Sequence, residues 1–449
     1  MKKTLLYSLL FVTFSIHSQI ISSTDAAVIF SGDAHYGTAR FEALSGAFGA
    51  LGGDMSAAEI NPAGLAIFLE NQSSMSLGYR KTNINTSFYG NSISNNDQFL
   101  NFSQAGGVMV FDLSDNDLWR KVALGFNYSI INDFNNSFVM EGNSGTPDFS
   151  DDPFLNYDSN ATNDLFYNNV DSQSFINTTS GLNDRFTFSL AANYNDKLFY
   201  GFSVSTYNLD YTQIADLVEL NNDGSGNTLD ASLIQTLQTS GTGFSLGFGI
   251  IAKPTDAVRL GLSYKSPIWY SLTDIYSDDL QIDVSNATDA FTDYSDGIFD
   301  YKISTPGVAT GSLAFLFGKM GLISLDYSYK DYQNTKLRPT AVYATENQDL
   351  ITNLRGSSQF KIGSEWRLDM VSVRGGYLME QSPYKNDPSS NDLTGYSFGL
   401  GFDLGNRSKL DFAYSNNSYN QPYAFLQASD AGNLNVENQR FTATLVMRF

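Results

Sequence analysis

The last residues of the chain, QRFTATLVMRF, constrain its fold more than any other stretch. Every second residue is apolar, and the residues between are mostly Thr and Arg. A period of two with one apolar face indicates a β-strand. The apolar positions are Phe441, Ala443, Leu445, Met447 and Phe449. The chain therefore ends inside a strand, on an aromatic residue.

The same alternation recurs along the sequence, for example at Phe186, Phe188 and Leu190, or at Phe398, Leu400 and Phe402. It predicts fourteen strands, at residues 72–88, 99–112, 119–134, 183–195, 198–212, 240–253, 256–268, 303–318, 320–333, 356–368, 370–380, 394–404, 406–418 and 437–449. An apolar face of this kind points either to the core of a soluble sandwich or to the lipid around a membrane barrel.

Loop lengths distinguish these two architectures. Tight turns such as SDND, YNDK and GKMG alternate with long excursions rich in Asn, Asp and Ser, at residues 135–182, 213–239, 269–302, 334–355 and 419–436. Short turns on one rim and long loops on the other are typical of bacterial outer-membrane barrels. A closed barrel also pairs every backbone donor and acceptor in lipid. We expect an all-β fold, a fourteen-stranded antiparallel transmembrane β-barrel, with a large soluble all-β secreted protein as the alternative.

Charged residues and Trp fit a barrel wall. The polar parity of the strands carries charges that would face the lumen, namely Arg80, Lys361, Glu365, Arg367, Arg374, Lys409, Asp411 and Arg440. Trp119, Trp269 and Trp366 lie near strand ends, as in interfacial girdles. The alternation slips at Ile130 to Asn132 and between Val204 and Tyr207. Each slip indicates a β-bulge or a strand that leaves the membrane.

The N-terminus and the composition exclude several functions. Lys2 and Lys3 precede an apolar run, which predicts a signal peptide over residues 1–19. The net charge of −21 argues against nucleic acid as a partner. Cys is absent and only His17 and His35 occur, so hydrolase triads and metal sites are disfavoured. We predict that the protein is not an enzyme and that it binds no cofactor or metal. A haem receptor that binds haem through Tyr is a further hypothesis.

One segment is not a strand. Residues 43–66, ALSGAFGALGGDMSAAEINPAGLA, are rich in Gly and Ala and favour short helices. We predict a helix over residues 43–51 that ends at Gly52 and Gly53, a second capped by Asp54 or Ser56, and a third capped by Asn61. A phosphate-binding loop is excluded because no Gly-Lys-Ser/Thr follows. A barrel of fourteen strands has an open lumen, which this segment would plug.

These residues resemble the N-terminal hatch signature of the long-chain fatty acid transporter family, the FadL/TodX type. The matching positions are Gly52, Gly53, Asp54, Asn61, Pro62, Ala63 and Gly64. The resemblance implies a hatch at residues 20–70 that gates a barrel at residues 71–449. It also implies a monomer in the outer-membrane lipid that takes up hydrophobic molecules passively, with lateral exit near a kinked third strand.

The long loops offer a hydrophobic ligand site. Apolar residues at helical spacing in residues 213–239 predict two short helices that face each other across a ligand or, equally, pack on the barrel rim. Arg80 or Arg374, or else Arg440, would pair with a carboxylate headgroup. The predicted apolar contacts are Ile214, Leu217, Val218, Leu233, Leu237 and Trp269.

A second function from another class remains open. Large loops rich in Asn and Asp, above all residues 135–182, also suit contact with an envelope protein. The alternative is therefore an interaction or shuttle subunit of a secretion machine without small-molecule transport.

Overall fold

The computed structural model describes residues 21–449 except 33–35, 114–117, 155–164, 406, 425 and 427–430. The predicted signal peptide and His35 lie outside the described residues. Within the described part, no helix combines the length and apolarity needed to cross a membrane. The helices before the sheet are α1 (Ser23–Phe30), α2 (Ala39–Ala43) and two 3₁₀ helices (Ser56–Glu59 and Pro62–Ile67).

The rest of the chain is one antiparallel sheet of eighteen strand segments, which together make fourteen strands. Ten strands are single segments: β1 (Gln72–Phe88), β2 (Asn91–Asp112), β5 (Asn169–Tyr194), β6 (Leu198–Asn222), β7 (Thr228–Ala252), β14 (Gly356–Leu368), β15 (Val371–Glu380), β16 (Leu393–Gly405), β17 (Ser408–Ala424) and β18 (Ala431–Arg448). Four are interrupted: β3 (Trp119–Asp133) with β4 (Asn136–Gly142), β8 (Val258–Lys265) with β9 (Trp269–Val284), β10 (Phe291–Ser304) with β11 (Val308–Leu316), and β12 (Gly321–Asp331) with β13 (Lys336–Arg338). Helix α3 (Ala344–Asn353) and two short 3₁₀ helices (Tyr332–Asn334 and Ser389–Asn391) lie among the later connections.

The sheet closes on itself. Strand β1 pairs with β2 on one side and with β18 on the other, in a register that joins Gln72 to Arg448 and Ser87 to Asn433. Closure leaves neither β1 nor β18 with a free edge, which is the condition for strands to span a bilayer. The predicted all-β fourteen-stranded barrel is confirmed.

The burial pattern is that of a membrane wall. Phe188 and Phe398 are 61% and 59% exposed on the outer face, whereas Glu365 on the inner face is 1% exposed. Trp119, Trp269 and Trp366 are also exposed outward. Of the predicted lumen charges, Arg80, Lys361, Glu365, Arg374, Asp411 and Arg440 are buried inside, Lys409 is half-buried, and Arg367 is exposed but paired with Glu365.

The two predicted slips have different causes. At Ile130 to Asn132 the pairing of β3 with β5 shifts register, so the predicted bulge is present in the third strand. Between Val204 and Tyr207 the pairing of β6 is continuous, and no bulge occurs. Val204 faces outward and Tyr207 is 2% exposed on the lumen side. The second slip therefore marks the point where the apolar side chains change from the lipid face to the lumen face.

The prediction of helices in residues 213–239 is wrong. This region extends β6 and β7 upward into a long hairpin, with Leu217 opposite Leu233. Both faces of the hairpin are apolar, since Leu217 is buried while Ile214 and Val218 are exposed. An apolar residue on each face hides the period of two and produces a helical spacing by coincidence. Much of residues 135–182 and 269–302 is likewise strand.

Candidate functional site

Residues 20–70 are here called the hatch, and its described part starts at residue 21, in the upper half of the lumen. Helix α1 packs against α3, whose Leu350 is buried in the same apolar cluster, and Phe30 of α1 contacts the lumen-facing ring of Tyr211. Ser22 caps α1 by accepting a hydrogen bond from Asp25 N at 3.0 Å, and Tyr384 Oη donates to the Asp25 carboxylate at 2.5 Å. The start of the hatch therefore reaches the long-loop side of the barrel, a position that the sequence did not predict.

The lower hatch, residues 36–70, turns sharply where a helix was predicted. The helix predicted over residues 43–51 is absent: α2 ends at Ala43, and Ser45 and Gly46 then take the left-handed backbone conformation with φ of 51° and 75°. Thr38 caps this helix and also donates to the Asp54 carboxylate at 2.8 Å. Compact turns take the place of the predicted helix, so the residues that follow pack beneath α2.

The hatch signature has two parts, Gly-Gly-Asp at residues 52–54 and Asn-Pro-Ala-Gly at residues 61–64, and they pack on each other. Gly52 has φ of +61°, and a β-carbon there would lie 2.7 Å from Gly64 Cα. Gly53 N donates to Gly64 O at 3.1 Å. Only glycine permits both the backbone conformation and the close approach at Gly52. The Gly-Gly-Asp and Asn-Pro-Ala-Gly elements therefore form one unit.

Asn61 joins this unit to the wall. Its Oδ1 accepts from Ala63 N at 3.1 Å, which confirms the predicted cap, with Pro62 at the start of a 3₁₀ helix. Its Nδ2 donates to Gly49 O at 2.7 Å and to Ile250 O on β7 at 3.2 Å. One amide thus satisfies the hatch backbone and a strand carbonyl together.

Buried ion pairs tie the lower hatch to the barrel. Arg40 Nε lies 2.7 Å from Glu365, which also pairs with Arg374 at 2.8 Å, and Arg374 pairs with Asp411 at 2.6 Å. Glu42 accepts from Arg440 at 3.2 Å. These contacts use the wall charges to hold the hatch, so most of the lumen cations already have an anionic partner.

The buried hatch charges have perturbed pKa values. Burial raises the pKa of Glu42, although the Arg440 charge opposes the shift. Burial likewise raises the pKa of Asp54, against the charge of Arg40. For Arg40, burial works to lower the pKa, but the charge and hydrogen bond of Glu365, together with the charges of Asp54 and Asp411, outweigh it and the net direction is upward. At Glu42 and Asp54 the neighbouring arginine therefore offsets only part of the cost of burial.

Glycines on the inner wall let the hatch approach closely. A β-carbon at any of them would meet a hatch atom at less than 3 Å, so the wall is shaped to the plug. These glycines, with the hatch residue each one meets, are Gly125 (Leu65), Gly201 (Ala63), Gly249 (Asn61), Gly261 (Gly49), Gly363 (Leu44), Gly376 (Ser45) and Gly399 (Ala43).

A cavity of about 430 Å³ lies above the lower hatch, between α1 and the wall. Aromatic rings dominate part of its lining, and Ile131 and Asn132 of the bulge in β3 form another part. Asn132 Nδ2 donates to Ile29 O at the end of α1, at 3.0 Å. The aromatic lining residues are Tyr36, Phe134, Tyr211, Tyr332, Tyr384 and Tyr419.

Two arginines of this cavity retain unused donors. Arg80 donates to the carbonyl of Asp133 at 2.9 Å and Arg440 pairs with Glu42, yet Arg80 Nε and Arg440 Nη1 have no hydrogen-bond partner within the described residues. Tyr36 stacks on the Arg440 guanidinium at 4.3 Å. The cavity thus combines these aromatic rings with polar side chains, among them the carboxylates Asp133, Glu380 and Asp387, and with N–H groups that suit an oxygen acceptor.

The structure does not bring the predicted ligand residues together. Of these, Arg80 lines the cavity just described and Leu237 lines a separate one. Arg374 lies beneath the hatch in its ion-pair network. Leu217 and Leu233 pack with Phe138 and Phe175. Ile214, Val218 and Trp269 point to the outer face.

The aromatic lining of the cavity was missed at the sequence level. Tyr211 of this lining occupies the inward parity of β6, as do its buried neighbours Tyr207 and Leu209, where a water-filled lumen would place polar residues. Apolar residues on the inward parity are the signal that reveals such a site. In the sequence, this change of the apolar residues to the inward parity is seen as the slip at Tyr207.

Comparisons with known proteins agree with this architecture. The family model described as outer membrane protein transport protein (OMPP1/FadL/TodX) matches residues 21–444. No curated protein matches the sequence.

Three solved structures illustrate the shared fold. A Pseudomonas aeruginosa FadL homologue has a TM-score of 0.57 and 14% identity, covering 93% of this chain and 100% of that one. The P. putida toluene transporter TodX has a TM-score of 0.56 and 15% identity, with 93% and 99% covered. The Ralstonia pickettii toluene transporter TbuX has a TM-score of 0.51 and 18% identity, with 94% and 100% covered. At these identities the likeness shows the fold, while the family model carries the assignment. The chain belongs to the FadL/TodX family of bacterial outer-membrane transport proteins.

Proposed function

We propose that this protein is a hatch-gated channel for passive uptake of hydrophobic molecules such as long-chain fatty acids. The aromatic cavity above the hatch is the observation that carries the proposal. Burial of an apolar chain there contributes roughly 25 cal/mol per Å². Arg80 Nε and Arg440 Nη1 supply donors for a carboxylate headgroup.

The bulge in β3 provides an exit route for the bound molecule. Ile131 and Asn132 line the cavity at the point where the β3–β5 pairing is irregular. We propose that a shift of α1 away from Asn132 opens a route between the cavity and the wall. Monoaromatic compounds are a second ligand class, because two structural neighbours are described as toluene transporters. Nothing in the described residues favours the secretion-machine alternative.

Ligand binding tests this proposal. Purified protein is titrated with decanoate, decanol and toluene, and the change in protein stability on binding is measured. We expect decanoate to bind more tightly than decanol. Arg80→Lys keeps the positive charge beside Asp133 but removes Nε, so decanoate affinity falls by about fivefold to tenfold while decanol affinity is unchanged. Arg407→Lys, at an exposed periplasmic turn, is the matched control.

Uptake completes the test. A bacterial host that lacks its own hydrophobic-compound channels takes up labelled decanoate faster when it makes this protein. Absence of binding by all three compounds, together with unchanged uptake, contradicts the proposal.

A further inference from the structure

A second cavity, of about 600 Å³, lies on the long-loop side of the barrel. It is enclosed by α1, by the region of α3 and by the raised parts of β7, β9 and β10. Its walls are largely apolar or aromatic, so it suits a molecule with a hydrophobic body. The residues that provide this surface include Leu237, Tyr276, Phe299, Tyr301, Val342 and Tyr343.

Three carboxylates interrupt this apolar lining: Asp274, Asp278 and Glu346. Asp274 is only 7% exposed; the hydroxyls of Thr239 and Tyr301 lie beside its carboxylate, but its Oδ1 has no hydrogen-bond partner in the described structure. Glu346 Oε2 is likewise buried without a partner. Asp278 accepts from Gln235 Nε2 at 3.0 Å. The described lining contains no Lys, Arg or His.

Buried carboxylates in an apolar cavity are destabilising when no cation is bound beside them. A buried carboxylate costs free energy unless a charge or a set of donors compensates it. The same protein supplies that compensation in the lower hatch, where Glu42 meets Arg440 and Glu365 meets Arg40. At Asp274 and Glu346 no salt bridge is formed within the described part of the chain. The missing positive charge is therefore expected to come from a ligand.

The lining also narrows the kind of cation. No cluster of three or more His, Cys, Asp or Glu side chains in the described residues is arranged to hold a metal ion. Aromatic faces beside carboxylates favour an organic ammonium group, through cation–π contacts and charge-assisted hydrogen bonds. A fatty-acid carboxylate would be repelled by Asp274 and would leave its Oδ1 unpaired.

We propose that this outer cavity binds hydrophobic molecules that carry a protonated amine. The proposal rests on the function proposed above, since it names a ligand class for the same channel. The Asp274 carboxylate accepts hydrogen bonds from the ammonium group, and Glu346 lies on the α3 side of the site. The rings of Tyr276 and Tyr301 cover the apolar body of the ligand. The outer cavity then takes cationic ligands, while carboxylates bind in the separate inner cavity beside Arg80 and Arg440.

Three probes of equal length test the proposal: 4-phenylbutylamine, 4-phenylbutanol and 4-phenylbutyrate. Each is titrated calorimetrically into the full mature protein in non-ionic detergent at neutral pH. We expect the amine to bind at least about tenfold more tightly than the alcohol at the outer site, because a charge-assisted hydrogen bond to a buried carboxylate is replaced by a neutral one. The carboxylate probe should not bind there.

Variants assign the effect to the cavity. Asp274→Asn keeps the shape and removes the charge, so amine affinity should fall by about tenfold while alcohol affinity stays constant. Glu346→Gln should reduce amine affinity by a smaller factor. Asp279→Asn is the matched control, because Asp279 lies on the same strand but is exposed outside the cavity. It should change amine affinity by less than about twofold, since exposed charges are well screened.

The outcomes separate this inference from the channel function. Equal binding of amine and alcohol in the wild type, or equal losses in Asp274→Asn and Asp279→Asn, overturns the amine site while uptake of hydrophobic molecules still stands. If none of the three probes binds and labelled decanoate uptake is also unchanged, the channel function itself is wrong, and the amine site falls with it.

Discussion

The close contact between Gly52 and Gly64 makes a sharp prediction about the hatch. In Gly52→Ala, the new β-carbon must adopt φ of +61° and lies 2.7 Å from Gly64 Cα and from Gly64 O. The left-handed backbone conformation costs about 1–2 kcal/mol for a residue with a side chain. The overlap with backbone atoms adds about 1–3 kcal/mol. The hatch should therefore lose about 2–5 kcal/mol of local stability.

Gly53→Ala separates these two contributions. Gly53 has φ of +67°, but its nearest neighbour to an added β-carbon is Ile67 Cγ2 at 3.7 Å, which is an ordinary contact. This variant should lose only the backbone contribution. The difference between the two variants, about 1–3 kcal/mol, corresponds to a 5- to 150-fold difference in the open population of the hatch.

Hydrogen exchange of the hatch amides measures this difference. Exchange through local opening should be faster in Gly52→Ala than in Gly53→Ala by the factor given above, while amides of β17 and β18 stay protected in both. Equal exchange in the two variants would refute the argument, because it would mean that the Gly52–Gly64 contact does not hold the hatch together.

Two further contacts should hold separate parts of the hatch. Arg40→Met removes one partner of Glu365, which keeps Arg374, so the lower hatch should lose about 1.5–3 kcal/mol and exchange faster at α2; unchanged exchange at α2 would show that the ion pair is not an anchor. Tyr384→Phe removes the hydrogen bond to Asp25, so α1 should lose about 1 kcal/mol in exchange measurements while α2 is unaffected. An equal effect on both helices would contradict independent anchoring.

The wall was predictable because the bilayer imposes a simple rule on each strand. Lipid requires an apolar outer face, so alternation at Phe186 to Leu190 or Phe441 to Met447 identifies the strands without any knowledge of their partners. The rule fails above the membrane, where Leu217 packs inward and Val218 remains apolar on the other face. There the hairpin is stabilised by both of its faces, and the sequence shows no period of two.

The hatch was predictable in its caps and not in its anchors. Asn61 and Pro62 act through neighbouring residues, so their roles follow from local sequence. Arg40 and Glu365 are 325 positions apart, and their pairing depends on how the closed barrel places β14 opposite α2. The left-handed turn at Ser45 and Gly46 excludes the helix that Gly and Ala content alone predicted over residues 43–51.

The central claim is that residues of the hatch close a barrel that would otherwise be open. Single-channel conductance in planar bilayers tests it most directly, comparing the full mature chain with a variant that lacks residues 20–66. The intact protein should show little steady conductance, because the hatch fills the lumen against the inner wall. The shortened barrel, shown to be folded by its strand content, should form a large, steadily open pore. Equal conductance of the two proteins would contradict the account.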